Sequence, residues 1–161
     1  MAELLFRVGM RALTSTLFWG CCFYAVLCRT TTGQRPVPRR AHRQASLEYA
    51  VNHLKVKVVC VLGHEGCGAV KAAGQPAEAL QEQPAQLAQM LTMIKGGLEE
   101  DRLAHIKDPR ARDREAVVTH VRRQLEKLNK HELFVNAVDN GELIVIGAFY
   151  EISSGIVDFF Y

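Results

Sequence analysis

A chain of 161 residues with 48% apolar content is long enough for one domain with a buried core, and neither disordered nor disulfide-dense. Its net charge of +3 is too small to imply nucleic acid as a partner. Five cysteines, an odd number with Cys60 inside a strand-like run, do not form a disulfide framework. They point to the cytosol, or else an organelle matrix, and leave the thiols free for metal.

The charge is unevenly spread. Residues 1–46 hold seven Arg (Arg7, Arg11, Arg29, Arg35, Arg39, Arg40, Arg43), no Lys and the single acid Glu3, a balance of +6. The other 115 residues hold 13 basic and 16 acidic side chains, a balance of −3. Two compositions therefore meet near Ser46. Within the first, residues 12–28 (ALTSTLFWGCCFYAVLC) have the outline of a signal peptide or short membrane segment behind Arg7 and Arg11. A buried strand flanked by helix is the competing reading, and is preferred because the run is short for a span of about 20 residues. The arginines between Arg35 and Arg43 lack the aromatic platform of a nucleic-acid site, so neither nucleic acid nor membrane is expected as a partner.

From Ser46, read as an N-cap, Leu47, Ala50, Val51 and Leu54 fall at helical spacing. The nearly continuous apolar, β-branched run Val56–Leu62 predicts a strand covered on both faces. Gly63, Gly66 and Gly68 then predict a turn, and Ala69–Ala73 a helix, so His64 and Cys67 fall on a strand-to-helix loop, where open α/β sheets hold their ligands. Gly74–Pro84 reads as a loop or a frayed helix start, and Leu87, Met90, Leu91 and Ile94 predict a helix ending at Gly96-Gly97. Residues 98–114 read as a solvated connector with helical pieces, its alternating charges from Asp108 to Glu115 a solvated face. Val117, Val118, Val121, Leu125 and Leu128 line one side of a further amphipathic helix. The runs Leu143–Tyr150 and Ile156–Phe160, separated by Ser153-Ser154-Gly155, predict a hairpin. The expected fold is α/β, a mostly parallel sheet with flanking helices and a C-terminal antiparallel hairpin.

His64-x-x-Cys67 offers imidazole and thiolate on a backbone able to bend around a tetrahedral metal. By spacing alone, a packed thiol beside a hydrogen-bonded histidine is the preferred reading. His53, His105, His120 and His131 have no other donors at ligand spacing and are expected on the surface.

The run SLEYAVNHLKVKVVCVLGHEGCGAV from Ser46 resembles the second signature of the β-carbonic anhydrases, and the segments AVVTHVRRQLEKL and GELIVIGAFYEISSGIVDFF are similar to that family's last helix and hairpin. The resemblance implies a zinc lyase that interconverts carbon dioxide and bicarbonate through a zinc-activated water. It implies His64 and Cys67 as zinc ligands, Gly68 as the residue that lets the loop backbone approach metal and substrate, and a homodimer or higher homo-oligomer. Cys60 stays a core thiol.

The family's third ligand comes from an upstream Cys-x-Asp-x-Arg, which this sequence lacks, and residues 4–47 contain no carboxylate. Leu17-Phe18-Trp19-Gly20-Cys21 is the nearest echo, making Cys21 the candidate third ligand if its strand pairs in parallel beside the one that ends at Gly63. Residues 1–45 are accordingly read as an atypical Arg-rich segment, out of frame or diverged, and 46–161 as an incomplete β-carbonic anhydrase-like domain. The alternative function is an inactive carbonic-anhydrase-like binding or assembly protein, or a truncated product.

Overall fold

The computed structural model describes residues 23–24 and 39–161. Helix α1 (Arg39–Asn52) leads to strand β2 (Val58–His64), which the short strand β1 (Phe23–Tyr24) flanks on one side. Helices α2 (Gly68–Ala73), α3 (Ala77–Gln81), α4 (Ala85–Lys95), α5 (Glu100–Ala104), α6 (Pro109–Leu128) and α7 (Glu132–Asp139) follow, and strands β3 (Ile144–Tyr150) and β4 (Val157–Phe160) close the chain. The sheet order is β1-β2-β3-β4. Its central pair, β2 with β3, is parallel over seven residues from Val58↔Ile144 to His64↔Tyr150. Both outer pairs are antiparallel, β3 with β4 forming the expected hairpin.

Several boundaries differ from the sequence reading. Helix α1 begins at Arg39, so Ser46 is an interior residue rather than an N-cap. The Arg-Arg-Ala-His-Arg-Gln run propagates a helix well, and Pro38 discourages helical geometry in the residue before it. Leu54 falls beyond the helix and is exposed. Strand β2 runs two residues further than expected, making Gly63 a strand residue. The turn glycine is Gly66, at φ +65°, a left-handed conformation that costs other residues about 1 kcal/mol or more. Between Gly74 and Pro84 lies α3, and α7, unanticipated, buries Phe134 and Ala137. At the first edge the observed pairing is antiparallel, Phe23↔Leu62 and Tyr24↔Val61. The stretch ending at Gly20 and Cys21 lies outside the described residues.

No helix among the described residues is long and apolar enough to cross a membrane. Of the apolar stretch 12–28, only Phe23–Tyr24 is described, and it is a strand.

Helix α6 organises the core. Asp108 caps it by accepting a hydrogen bond from the Ala111 N–H at 3.0 Å, and Pro109 at its first turn has no N–H to leave unsatisfied. Its C-terminal half, Val121, Leu125 and Leu128, packs with Val59 and Val61 of β2, Leu47 and Val51 of α1, and Phe134 of α7. Its N-terminal half, Ala116, Val117 and Val118, packs with Phe149, Cys67, Val70, Leu91 and Ile94. Two glycines let it lie close to the sheet. A Cβ on Gly63 would stand 2.5 Å from Val117 Cγ1 and 2.8 Å from Val121 Cγ2. On Gly147 it would stand 2.6 Å from Phe160 Cε2 and 2.9 Å from Leu125 Cδ1.

His120 is a correction. Expected at the surface, it is 8% exposed within α6, and its Nδ1 has no hydrogen-bond partner among the described residues. Burial, and then the positive charge of Lys127, push its pKa down to about 4. His53 and His105 are exposed as expected, whereas His131 is half-buried and reaches Glu48 at 3.3 Å, tying α7 to α1.

Two predictions follow from this packing. Gly63→Ala should lower stability by about 1–3 kcal/mol, seen as an earlier urea midpoint at unchanged slope, because valine is too stiff to swing aside. Adding Val117→Ala should recover part of that loss. For His120, the fold holds the neutral form, so its contribution is intact above the unfolded pKa of about 6.5. As pH falls from about 6.5 to about 4 the unfolded chain takes up the proton first, and stability declines by an amount on the order of 3 kcal/mol before levelling off. In metal-free protein, His120→Leu should remove that acid-side decline, and an identical pH profile in urea melts of both proteins would refute it.

Candidate metal centre

His64 ends β2, and Cys67 directly precedes α2, so two residues, Glu65 and Gly66, separate the donors. The parallel ladder with β3 fixes the strand end: His64 pairs with Tyr150, and the Glu65 N–H donates to the Tyr150 carbonyl at 2.8 Å. The chain then turns at Gly66 and enters α2, where the Lys71 N–H donates back to the Cys67 carbonyl at 3.0 Å. Cys67 is 3% exposed, packed in the cluster that α2, α4 and α6 form.

The His64 ring is half-buried, with Nδ1 2.9 Å from the Glu65 carbonyl oxygen. A carbonyl only accepts, so Nδ1 carries the proton and the lone pair sits on Nε2. Metal-binding histidines are typically held in this way, through a hydrogen bond from the other ring nitrogen. A buried thiol and an imidazole in this tautomer are a donor set that suits zinc. Among the described residues no three His, Cys, Asp or Glu are grouped to hold a metal, and Cys21 lies outside them.

Cys60 also lies on β2, four residues before His64 and on the same face, about 13 Å away at strand rise. That is several times a metal–ligand bond, so the two cannot share one ion. Burial raises the Cys60 thiol pKa, as suits an inert thiol. Gly68, the first residue of α2, is exposed, and a Cβ there would meet nothing within 4 Å. No close protein contact demands a glycine at that position.

Two residues that the sequence reading did not single out complete the site's surroundings. The Glu65 carboxylate accepts from the Ser153 N–H at 2.9 Å and pairs with the Arg110 guanidinium, also at 2.9 Å. The Ser153 N–H first, with Arg110 adding to it, holds the Glu65 carboxyl below its ordinary pKa against a smaller effect of desolvation. Arg110 also donates to Ser153 Oγ at 2.6 Å and to Glu151 at 3.2 Å. Four residues along α6, Arg114 reaches Asp158 at 2.6 Å and lies 4.5 Å from the Phe149 ring centroid. The charge run expected to be a solvated face thus binds the hairpin. Its i, i+4 arginines were the available signal, but their partners are some 40 residues away in sequence.

A carbonic anhydrase family profile matches residues 25–157. A carbonic anhydrase of Saccharomyces cerevisiae is 31% identical over 118 residues, 71% of this chain and 53% of that protein. One from Synechococcus elongatus is 30% identical over 122 residues, 70% of this chain and 42% of that protein. This chain therefore spans about half the length of the curated relatives it matches. A tetrameric β-carbonic anhydrase from Sordaria macrospora superposes with a TM-score of 0.68 at 26% identity, covering 76% of this chain and 61% of its own. With the profile matched over most of the chain and the fold shared, this protein belongs to the β-carbonic anhydrase family.

Proposed function

We propose that this chain binds zinc through His64 and Cys67 and interconverts carbon dioxide and bicarbonate more slowly than a complete member of its family. Cys21 is the third ligand on the family resemblance alone, since the first edge of the sheet pairs antiparallel and not in parallel. The observation that carries this reading is the His64 ring contact: Nδ1 donates to the Glu65 carbonyl, which in the neutral imidazole puts the lone pair on Nε2, three residues before a buried thiol. Bound zinc supplies Lewis acidity, lowering the pKa of a water from about 15.7 toward neutrality. The chain's own part is to hold the donors and admit the substrate.

The reduced rate is argued from charge and orientation. Two thiolates donate more charge to a metal than imidazoles do, which leaves its water less acidic. The sequence also has no Cys-x-Asp-x-Arg, and no carboxylate between residues 4 and 47, to orient the nucleophile. Groups of that kind matter by about 10- to 100-fold in metal affinity or activity. That deficit favours the second reading, a carbonic-anhydrase-like binding or assembly protein without turnover.

Self-association is part of the proposal. Val58 and Ile144 on the sheet, and Ile152, Ile156, Phe159 and Tyr161 in and after the hairpin, are all exposed. Exposed apolar side chains of this size suit burial against another copy, and the Sordaria relative is described as tetrameric. Sedimentation should give a homodimer or larger assembly, and a monomer at micromolar concentration would exclude it.

Purified protein should carry about one zinc per chain, and Cys67→Ser and His64→Ala should each remove most of it. Cys21→Ser should weaken zinc binding and Cys60→Ser should not. Unchanged metal content in both the His64 and Cys67 variants would sink the ligand assignment. In stopped-flow assays of zinc-loaded protein, turnover should fall at least about 10- to 100-fold below the ~10⁶ per second of efficient zinc enzymes. A rate near that value would show that another residue replaces the missing pair, whereas a rate no higher than free zinc would select the non-catalytic reading.

A further inference from the structure

We propose that Glu65 and Arg110 are positioning residues that hold the two-residue turn between His64 and Cys67 in the shape that grips the metal. The inference rests on the zinc site proposed above and extends it to side chains that touch neither metal nor substrate.

Every polar group of Glu65 is committed. Its N–H donates to the Tyr150 carbonyl at 2.8 Å, continuing the β2–β3 ladder by one step. Its carbonyl accepts from His64 Nδ1 at 2.9 Å and so sets the ring's orientation. Its carboxylate accepts from the Ser153 N–H through one oxygen and meets Arg110 through the other, each at 2.9 Å. Rotating this peptide would turn the imidazole with it, so what fixes Glu65 fixes the donor atom of His64.

The next residue is the weak point. Gly66 has no side chain, adopts φ +65°, and a Cβ on it would have no neighbour within 4 Å. Among the described residues nothing packs against the Cβ position of Gly66, which makes the Glu65 carboxylate the side-chain anchor that the turn shows. That anchor ties the turn to two elements: Arg110 from the first turn of α6, and Ser153, with Glu151 beside it, from the β3–β4 turn. Ser154 Oγ also hydrogen-bonds Glu151, and the Gly155 N–H donates to the Glu151 carbonyl at 2.8 Å, which shapes the turn offering the Ser153 N–H.

Arg110 and Glu65 are too open to contribute much stability, with side chains 64% and 24% exposed. Their effect should therefore appear in metal affinity rather than in melting temperature. In the full-length chain, stripped of metal and titrated with zinc against a chromophoric chelator, Glu65→Ala and Arg110→Ala should each weaken zinc binding by about 10-fold. The double variant should lose little more than either single one, because each residue acts through the other. Glu65→Gln retains an acceptor oxygen and Arg110→Lys retains the charge, so both should lie between wild type and the alanine variants. The cobalt-substituted protein should show a shifted thiolate charge-transfer band in Glu65→Ala. Arg123→Ala, which removes a pair elsewhere on α6, should leave that band unchanged.

Cys67→Ser separates the two levels of the argument. If it abolishes zinc binding while both alanine variants stay within about 2-fold of wild type, the positioning role is overturned and the metal site stands. If Cys67→Ser leaves zinc affinity intact, the site itself is overturned, and this proposal with it. Should an alanine variant fail to fold, Glu65→Gln and Arg110→Lys decide, and affinities indistinguishable from wild type in both would overturn the proposal.

Discussion

The contact of α6 with two strands at residues that have no side chain is the constraint on which the rest of this structure depends. Val117 and Val121 occupy the space over Gly63, and Leu125 that over Gly147. A helix seated so deeply can serve both halves of the core, the α1–α7 side through its C-terminal residues and the α2–α4 side through its N-terminal ones. It also fixes β2 along its axis. The residue after Gly63 is His64, so the packing that sets the strand's height over the helix sets the position of the imidazole backbone as well.

The same helix continues past the packed region, and there its chemistry changes from apolar to ionic. Arg110 and Arg114, four residues apart and so on one face, extend from α6 to the β3–β4 hairpin. The result is a triangle of helix, hairpin and strand-end turn whose inner sides are hydrophobic and whose outer corner is made of exposed charge. Exposed pairs of this kind contribute little to folding stability. They can still decide a local geometry, because Glu65 and Gly66, between the strand end and the packed Cys67, place no side chain in the core.

Glycine therefore serves two opposite purposes within six residues. Gly63 is needed for what comes close to it, and Gly66 for the backbone angle it adopts. His64 and Cys67 inherit their relative placement from both, through a helix pressed against the strand on one side and a left-handed turn on the other. A metal site built here is only as rigid as those two features and the groups that hold Glu65.

Much of this was legible in the sequence. The apolar run before Gly63, the helical spacing of Val117, Val121, Leu125 and Leu128, and the turn residues Ser153-Ser154-Gly155 are local patterns, and each became the expected element. His64-x-x-Cys67 was legible for the same reason, since donor type and spacing are properties of four consecutive residues. By themselves these residues determined the α/β class and the hairpin. What only the tertiary structure decided is which partners distant residues find: that Gly63 faces a helix rather than making a turn, that His120 is buried, that an arginine in a charged run pairs with Glu65 in the turn after His64, and that the first edge pairing is antiparallel. Each of those depends on groups about 40 or more residues apart, or on which side of a helix faces the core, and such proximities are set by packing and strand register, which no local pattern encodes.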